Sequence, residues 1–337
     1  MPDAFEIPML THVLATSRGW DQLFTSSALG VLVVAFGVGI VVGLTGMGGG
    51  ALMTPALIFL GIPPAAAVAN DLVAAGVNKS IGAGVHWREG SPNLKLAGYL
   101  IAGSVPFAFA GGFIVHAIGS KGAQTHFLNN AIGWALLLAA TSYALRIVLQ
   151  LRFVRDDNTW AHEDIKVRPL PTLLVGAIGG LLVGITSVGS GSLIMVALLL
   201  LYPRMTAVRL VGTDLVQAVP LVIAAAVGHV INSGVDPAIL IPLIVGGTPG
   251  TFLGARLAAW VHQSVIRNGI VVVLTLTGLK MLGVPPQWVG IIGAGMVLLG
   301  PLVWGFVRQV RGLPAFDNDA TAWRVPVDSP ETEEKVE

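Results

Sequence analysis

The chain has 337 residues, 54% of them hydrophobic and 11% charged, with a formal net charge of +1. Soluble domains carry about 25% charged residues, so this composition excludes an ordinary water-soluble globule, and the lack of a basic stripe excludes a nucleic-acid binder. Cysteine is absent, which removes disulfides, thiolate metal sites and any cysteine relay.

Residues 1–26 are mixed and read as an N-terminal amphipathic segment at the membrane interface, without the basic flank and small-residue cleavage site of a signal peptide. A first membrane repeat spans 27–150. Its opening stretch, 28–61, carries five glycines between Gly43 and Gly50. About 20 residues suffice to cross a bilayer, so this longer stretch is predicted to be two short helices folded at a glycine tip, as a hairpin or re-entrant pair, ended by Pro63 and Pro64. Three spanning helices follow near 65–86, 94–118 and 125–150. Residues 151–170 form a polar cytoplasmic linker loop with Arg152, Arg155, Lys166 and Arg168. A second membrane repeat, 171–283, has the same plan: a glycine-tipped segment at 171–202, then helices near 206–230, 237–261 and 265–283. An additional C-terminal transmembrane helix lies in 284–310 and has no partner in the first half. The tail, 311–337, is acidic, contains proline and is predicted to be disordered and cytoplasmic.

The two repeats are visible residue by residue. Gly43, Thr45, Gly48, Gly50 and Leu52 recur 141 positions later as Gly184, Thr186, Gly189, Gly191 and Leu193. At a shift of 143, Asp71, Leu72, Ala75, Ala83 and His86 recur as Asp214, Leu215, Ala218, Ala226 and His229, and Gly103, Pro106, Phe109 and Gly111 recur as Gly246, Pro249, Phe252 and Gly254. Paired interruptions in corresponding apolar segments are the sequence signature of a secondary transporter's central binding site. Basic residues collect on cytoplasmic loops. Arg88, Lys95, Arg204, Arg209, Arg267, Arg308 and Arg311 share that side only if each glycine-tipped segment returns to the side it entered from. The halves are then inverted, with the N-terminus outside and the C-terminus inside. Lys121 is the one basic loop residue against the rule.

Two glycine boxes, Gly43 to Gly50 and Gly184 to Gly191, are the leading candidates for substrate contact. Irregular backbone at membrane depth survives only where it is buried in protein or lines a wet cavity, and converging N–H groups beside a helix N-terminus suit an anion. The candidates are Gly46, Gly48, Gly49 and Gly50 with Thr45 in the first box, and Thr186, Ser187, Gly189, Ser190, Gly191 and Ser192 in the second. The competing explanation is tight helix packing through small residues. Asp71 and Asp214 sit within apolar helices, beside Asn70 and Thr213. A carboxylate there costs about 3 kcal/mol to insert, so either proton coupling or gating, or else helix capping or a hydrogen bond to the neighbouring hairpin, has to account for it. At 100° per residue, Asn78, His86 and Lys79 fall about −20°, +60° and +80° around the helix from Asp71, one polar face. Lys79 then balances Asp71, attracts an anion, or snorkels to the cytoplasmic surface. Its counterpart is Val222, and Gln217 is the extra polar group of the second half. His86 and His229 are expected at helix ends near the interface, as proton relays or hydrogen-bonded terminal histidines. No residues have metal-ligand spacing, and no Walker loop or nucleophile elbow occurs. No cofactor is implied, and the chain does not read as an enzyme.

The runs Gly43-Leu-Thr-Gly-Met-Gly-Gly-Gly-Ala-Leu-Met-Thr-Pro55, Ile62-Pro-Pro64 and His86-Trp-Arg-Glu-Gly90 resemble the TauE/SafE family of membrane permeases. The second half is similar through Gly184–Gly191, Gly212-Thr-Asp-Leu215 and His229 to Asp236, so the resemblance covers about 28–283. It implies a multi-pass protein of the bacterial inner membrane and secondary transport of sulfite, organosulfonates or related small sulfur anions. The expectation is thus an all-α polytopic membrane protein with two inverted repeats, moving a small sulfur-containing anion between the glycine tips, with Asp71, Asp214, Lys79, His86 and His229 coupling or gating protons. Its partners would be that anion, protons and the lipid bilayer, with homodimerisation open. A passive anion channel is the alternative; an intramembrane enzyme or a scaffold is disfavoured by the lack of a catalytic set and of sizeable soluble segments.

Overall fold

The computed structural model of the chain describes residues 26–45, 49–88, 92–153, 167–203, 205, 207–257, 260 and 263–310. The N-terminal segment up to residue 25, Gly46 and Gly48, most of the linker, Arg204 and the tail lie outside the described residues. All regular structure among the described residues is helical: α1 (Ser26–Thr45), α2 (Gly50–Phe59), α3 (Pro64–Arg88), α4 (Leu94–Ala117), α5 (Lys121–Phe153), α6 (Pro169–Thr186), α7 (Leu193–Leu201), α8 (Ala207–Ser233), α9 (Pro237–Leu257), α10 (Gln263–Met281) and α11 (Pro286–Val310). Five of them, α1, α4, α6, α8 and α9, are long and apolar enough to cross a membrane. The distribution of surface agrees with a polytopic membrane protein. Phe252 is 61% exposed and Leu170 67%, whereas Asp71 is 2% exposed and Gln217 not at all. Apolar groups face outward and polar groups inward, the reverse of a soluble globule.

The chain divides into two units at Gly290. The second contains most of α11, an apolar helix with Pro301 near its middle.

In the first unit each half contributes five helices in the expected order. The arms of the glycine-tipped segments differ from expectation. The first arms, α1 and α6, have 20 and 18 residues, and only the second arms, α2 and α7, are short, with 10 and 9. The second segment nevertheless comes back to where it began. Tyr202, just past α7, accepts a hydrogen bond from the Arg168 backbone N–H at 2.9 Å and meets the Thr172 hydroxyl at 2.6 Å, so its ring closes the base of the hairpin.

The halves pack reciprocally. α1 lies along α9, and α4 along its counterpart partner α6; α3 packs on α8 and α5 on α10. The first two seams are built on glycine. A Cβ on Gly246, Gly250 or Gly254 of α9 would run into the carbonyl oxygens of Leu32, Phe36 and Ile40 in turn. The register rises together on both helices, so α1 and α9 run parallel. On the other seam a Cβ on Gly176, Gly180 or Gly184 of α6 would strike the carbonyls of Leu100, Ser104 and Ala108, again a parallel pair. Helices that gain no hydrophobic energy by leaving lipid associate through such close backbone approach. α5 and α10 cross with Gly133 against Leu282 and Gly278, and Gly278 against Leu137, which is an antiparallel register.

Candidate functional site

The site forms where α2, α3, α8 and the turn after α6 converge. Asp71, in the second turn of α3, is buried and its Oδ2 accepts two hydrogen bonds: from the Thr54 hydroxyl on α2 at 2.6 Å and from the Ser187 hydroxyl at 2.8 Å. Ser187 caps the C-terminus of α6 with φ 60°. Among the described residues it is the one non-glycine in the left-handed region, a conformation that costs an L-residue about 1–2 kcal/mol and persists where surrounding contacts impose it. The carboxylate therefore fastens the tip of the second segment to the short arm of the first. The tips also touch directly. A Cβ on Gly50 would collide with the Ser187 carbonyl oxygen and, at 2.8 Å, with its Oγ.

Asp214 sits at the same place in α8 but has a different environment. Its Oδ1 accepts from Gln217 Nε2 at 3.0 Å, one turn on. Gln217 is fully buried, and its Oε1 has no hydrogen-bond partner. Lys79, two turns on from Asp71 in α3, is only 8% exposed. Its side chain is buried in the helix bundle rather than lying at the protein surface. Gly76, three residues before it, packs on Val222 and Ile223 of α8. α3 and α8 thus bring together Asp71, Lys79, Asp214 and Gln217.

The remaining candidates are placed as follows. Asn78 accepts from the Thr248 hydroxyl of α9 at 2.8 Å. Asn70 donates to the Ala66 carbonyl, and its Oδ1 is buried without a partner. Thr213 accepts from the Asn93 backbone N–H and donates to the Arg209 carbonyl, tying the loop before α4 to α8. The hydroxyls of Thr45 and Thr186 donate to Val42 and Leu182 within their own helices, and that of Ser187 goes to Asp71. Ser190 and Ser192 are buried, Gly189 takes a φ of 111°, and Gly191 lies in the turn leading into α7. Gly49 precedes α2, and among the described residues no atom lies nearer than Val42 to its would-be Cβ.

His229 is packed among helices rather than at the protein surface. It is wholly buried in the last turns of α8, and its Nε2 donates to the Gly184 carbonyl at 2.6 Å, leaving Nδ1 as a buried acceptor without a partner. The near contact of Gly112 with Gly228 and of Gly111 with Gly184 closes the backbones of α4, α6 and α8 around it. His86 falls in the last turn of α3, and its side chain lies outside the described ones. The groups missed from the sequence are Thr54, Thr248 and Tyr202. Thr54 is a polar residue before Pro55 in an otherwise apolar run, but its counterpart is Met195, so matching the halves passes over it.

A family model described as Sulfite exporter TauE/SafE matches residues 31–281. The chain belongs to the sulfite exporter TauE/SafE family. The match takes in α10 and ends before α11. Similar proteins include the probable membrane transporter protein YjnA of Bacillus subtilis (strain 168), 34% identical over 256 residues that cover 76% of this chain and 100% of YjnA. The probable membrane transporter protein YdhB of the same organism is 24% identical over 255 residues, 75% of this chain and 99% of YdhB. No solved structure matches the chain. Among the described residues no group of histidine and acidic side chains has a metal-binding arrangement.

Proposed function

We propose that this protein is a proton-coupled secondary transporter of a small anion, an organosulfonate or sulfite, in a bacterial inner membrane. The observation that carries the reading is the set of buried polar groups on α3 and α8, with Asp71 held by both glycine-tipped segments and Lys79, Asp214 and Gln217 buried in the same two helices. Ionisable residues in a membrane interior are costly and mark ion and substrate pathways. Family membership and the relatives named as probable membrane transporters support transport. The reciprocal packing of α1 with α9 and α4 with α6, each parallel, supports inverted halves, because an inverted pair of hairpin-plus-three-helix units requires those two pairs to run the same way.

The close approach of Gly50 to Ser187 supports a carrier over an open pore, with the substrate beside the tips rather than between them. Alternating access then shifts bodies that each contain helices of both halves, since α1–α9 and α4–α6 are packed backbone to backbone. The test is flux in proteoliposomes with sulfite, thiosulfate, taurine, sulfoacetate, toluenesulfonate and acetate, with and without a pH gradient. Saturable, gradient-driven accumulation of one sulfur anion is expected. Non-saturating flux indifferent to pH would establish a channel, and no sulfur-anion flux would leave the family fold with a different cargo.

A further inference from the structure

The second tip carries three serines that the repeat does not explain. At the shift of 141, Ser187, Ser190 and Ser192 stand where the first half has Gly46, Gly49 and Ala51. Ser187 is committed to the brace with Asp71. Ser190 and Ser192 are not. They are 5% and 4% exposed, and neither hydroxyl has a hydrogen-bond partner among the described residues. The Ser104 hydroxyl is also unpartnered, but it is sealed where α4 meets α6; the oxygens of Ser190 and Ser192 are not fully enclosed.

These two serines stand at the N-terminus of α7. Ser192 is the cap residue itself, yet its side chain makes no cap hydrogen bond. A cap serine ordinarily accepts from the N–H two or three residues on, here Ile194 or Met195. The Leu193 N–H reaches the Gly189 carbonyl at 3.2 Å and the Val196 N–H the Ser192 carbonyl at 3.1 Å. Between them the N–H groups of Ile194 and Met195 meet no acceptor among the described residues, and neither do those of Ser190, Gly191 and Ser192. In a membrane interior an unsatisfied backbone donor is costly, and most buried ones are paired. Here a run of donors is left open together with two hydroxyls from the same turn.

The geometry points to the turn Ser190–Ser192 and the N-terminus of α7 as the oxyanion subsite, where the hydroxyls of Ser190 and Ser192 and the N–H groups of Ile194 and Met195 donate to the oxygens of a sulfonate or sulfite group. This rests on the transport reading above and gives the anion a place in it. No charged residue lies between Ser187 and Leu201, so the subsite holds its anion by hydrogen bonds and by the positive end of a helix dipole. The first half has no hydroxyl at the matching positions, so the anion is held by one tip and not by both. The subsite lies beside the brace, consistent with the close approach of Gly50 to Ser187.

The experiment uses the full chain, purified in detergent for binding and thermal unfolding and reconstituted in proteoliposomes for flux, with labelled methanesulfonate, toluenesulfonate and sulfite as probes. Wild type should bind one of them saturably and unfold at a higher temperature in its presence. Ser190→Ala and Ser192→Ala should each raise Kd about tenfold or more, the loss expected for a hydrogen bond to a charged group. Their unfolding temperature without probe should stay at the wild-type value, because neither hydroxyl has a protein partner to lose. Ser192→Asp separates binding from folding. A carboxylate suits the cap of α7, so this variant should be at least as stable as wild type, whereas its own oxygens occupy the open donors and repel the probe, so binding and flux should be lost. Serines that served only the fold would give the reverse: earlier unfolding at unchanged affinity. Wild-type affinity in both alanine variants, or undiminished binding by a folded Ser192→Asp, overturns the subsite while leaving transport intact. If Ser192→Asp does not fold, the two alanine variants decide alone. Absence of saturable uptake of all three probes by wild type overturns the transport reading and this subsite with it.

Discussion

Ser187 reaches 116 residues back along the chain to donate its hydroxyl to Asp71, at 2.8 Å. It does so from a left-handed backbone conformation, so one residue both strains the tip of the second segment and holds it to the first half. Two changes at Ser187 separate these effects. Ser187→Ala removes a hydrogen bond to a carboxylate, worth about 1.5–3 kcal/mol, and keeps the strain. Ser187→Gly removes the same bond but relieves a left-handed penalty of about 1 kcal/mol. Unfolding of the purified protein in detergent should therefore rank wild type above Ser187→Gly and Ser187→Ala last. Equal stability of all three would mean that the bond to Asp71 holds nothing.

Gly49 and Gly50 are neighbours with opposite tolerance. Among the described residues a methyl on Gly49 meets only Val42, at 4.0 Å, whereas one on Gly50 meets the Ser187 backbone. Gly49→Ala should leave expression and flux near wild type. Gly50→Ala should part the tips and lower stability by about 1–3 kcal/mol, the usual cost of overpacking, with flux falling with it. Comparing thermal unfolding of the two variants decides it, and equal behaviour would refute the tip contact.

His229 gives a test of the interior that needs no substrate. Its Nε2 donates to Gly184, whose carbonyl is enclosed by α4 and α8. His229→Phe leaves that carbonyl buried without a donor and should cost about 1–3 kcal/mol. His229→Gln supplies a donor and should recover part of it. A His229→Phe protein as stable as wild type would show that the hydrogen bond contributes nothing net.

The native chain has no cysteine, so single cysteines report topology against an empty background. Leu60 and Pro203 are equivalent positions in the two halves, both exposed at the ends of short arms. Inverted halves place them on opposite faces of the membrane. An impermeant maleimide added to intact cells should label Leu60→Cys and not Pro203→Cys, and inside-out vesicles should give the reverse. Labelling of both from one face would make the halves parallel.

The helices were readable because proline, glycine and charge punctuate apolar runs: the expected 65–86 is found at Pro64–Arg88, and 94–118 at Leu94–Ala117. The length of α1 and α6 was not readable, because a glycine box marks where a segment bends but not how far each arm runs. The polar face with Asp71, Asn78 and Lys79 followed from helical spacing. The partners of that face did not. Thr54 and Ser187 have Met195 and Gly46 as counterparts, so the repetition that reveals the fold hides the brace between its halves. His229 lies near a helix end, as spacing suggests, but the close approach of Gly112 to Gly228 buries it, and contacts between segments leave no local trace in sequence.

The two glycine seams each need one helix from either half. A single half contains the donor face of one seam and the acceptor face of the other, with neither complete. Two copies of that half laid head to tail would complete both. The 337-residue chain is in this sense self-complementary, and its halves are free to diverge, as Lys79 and Val222 already have, only in residues that the seams do not constrain.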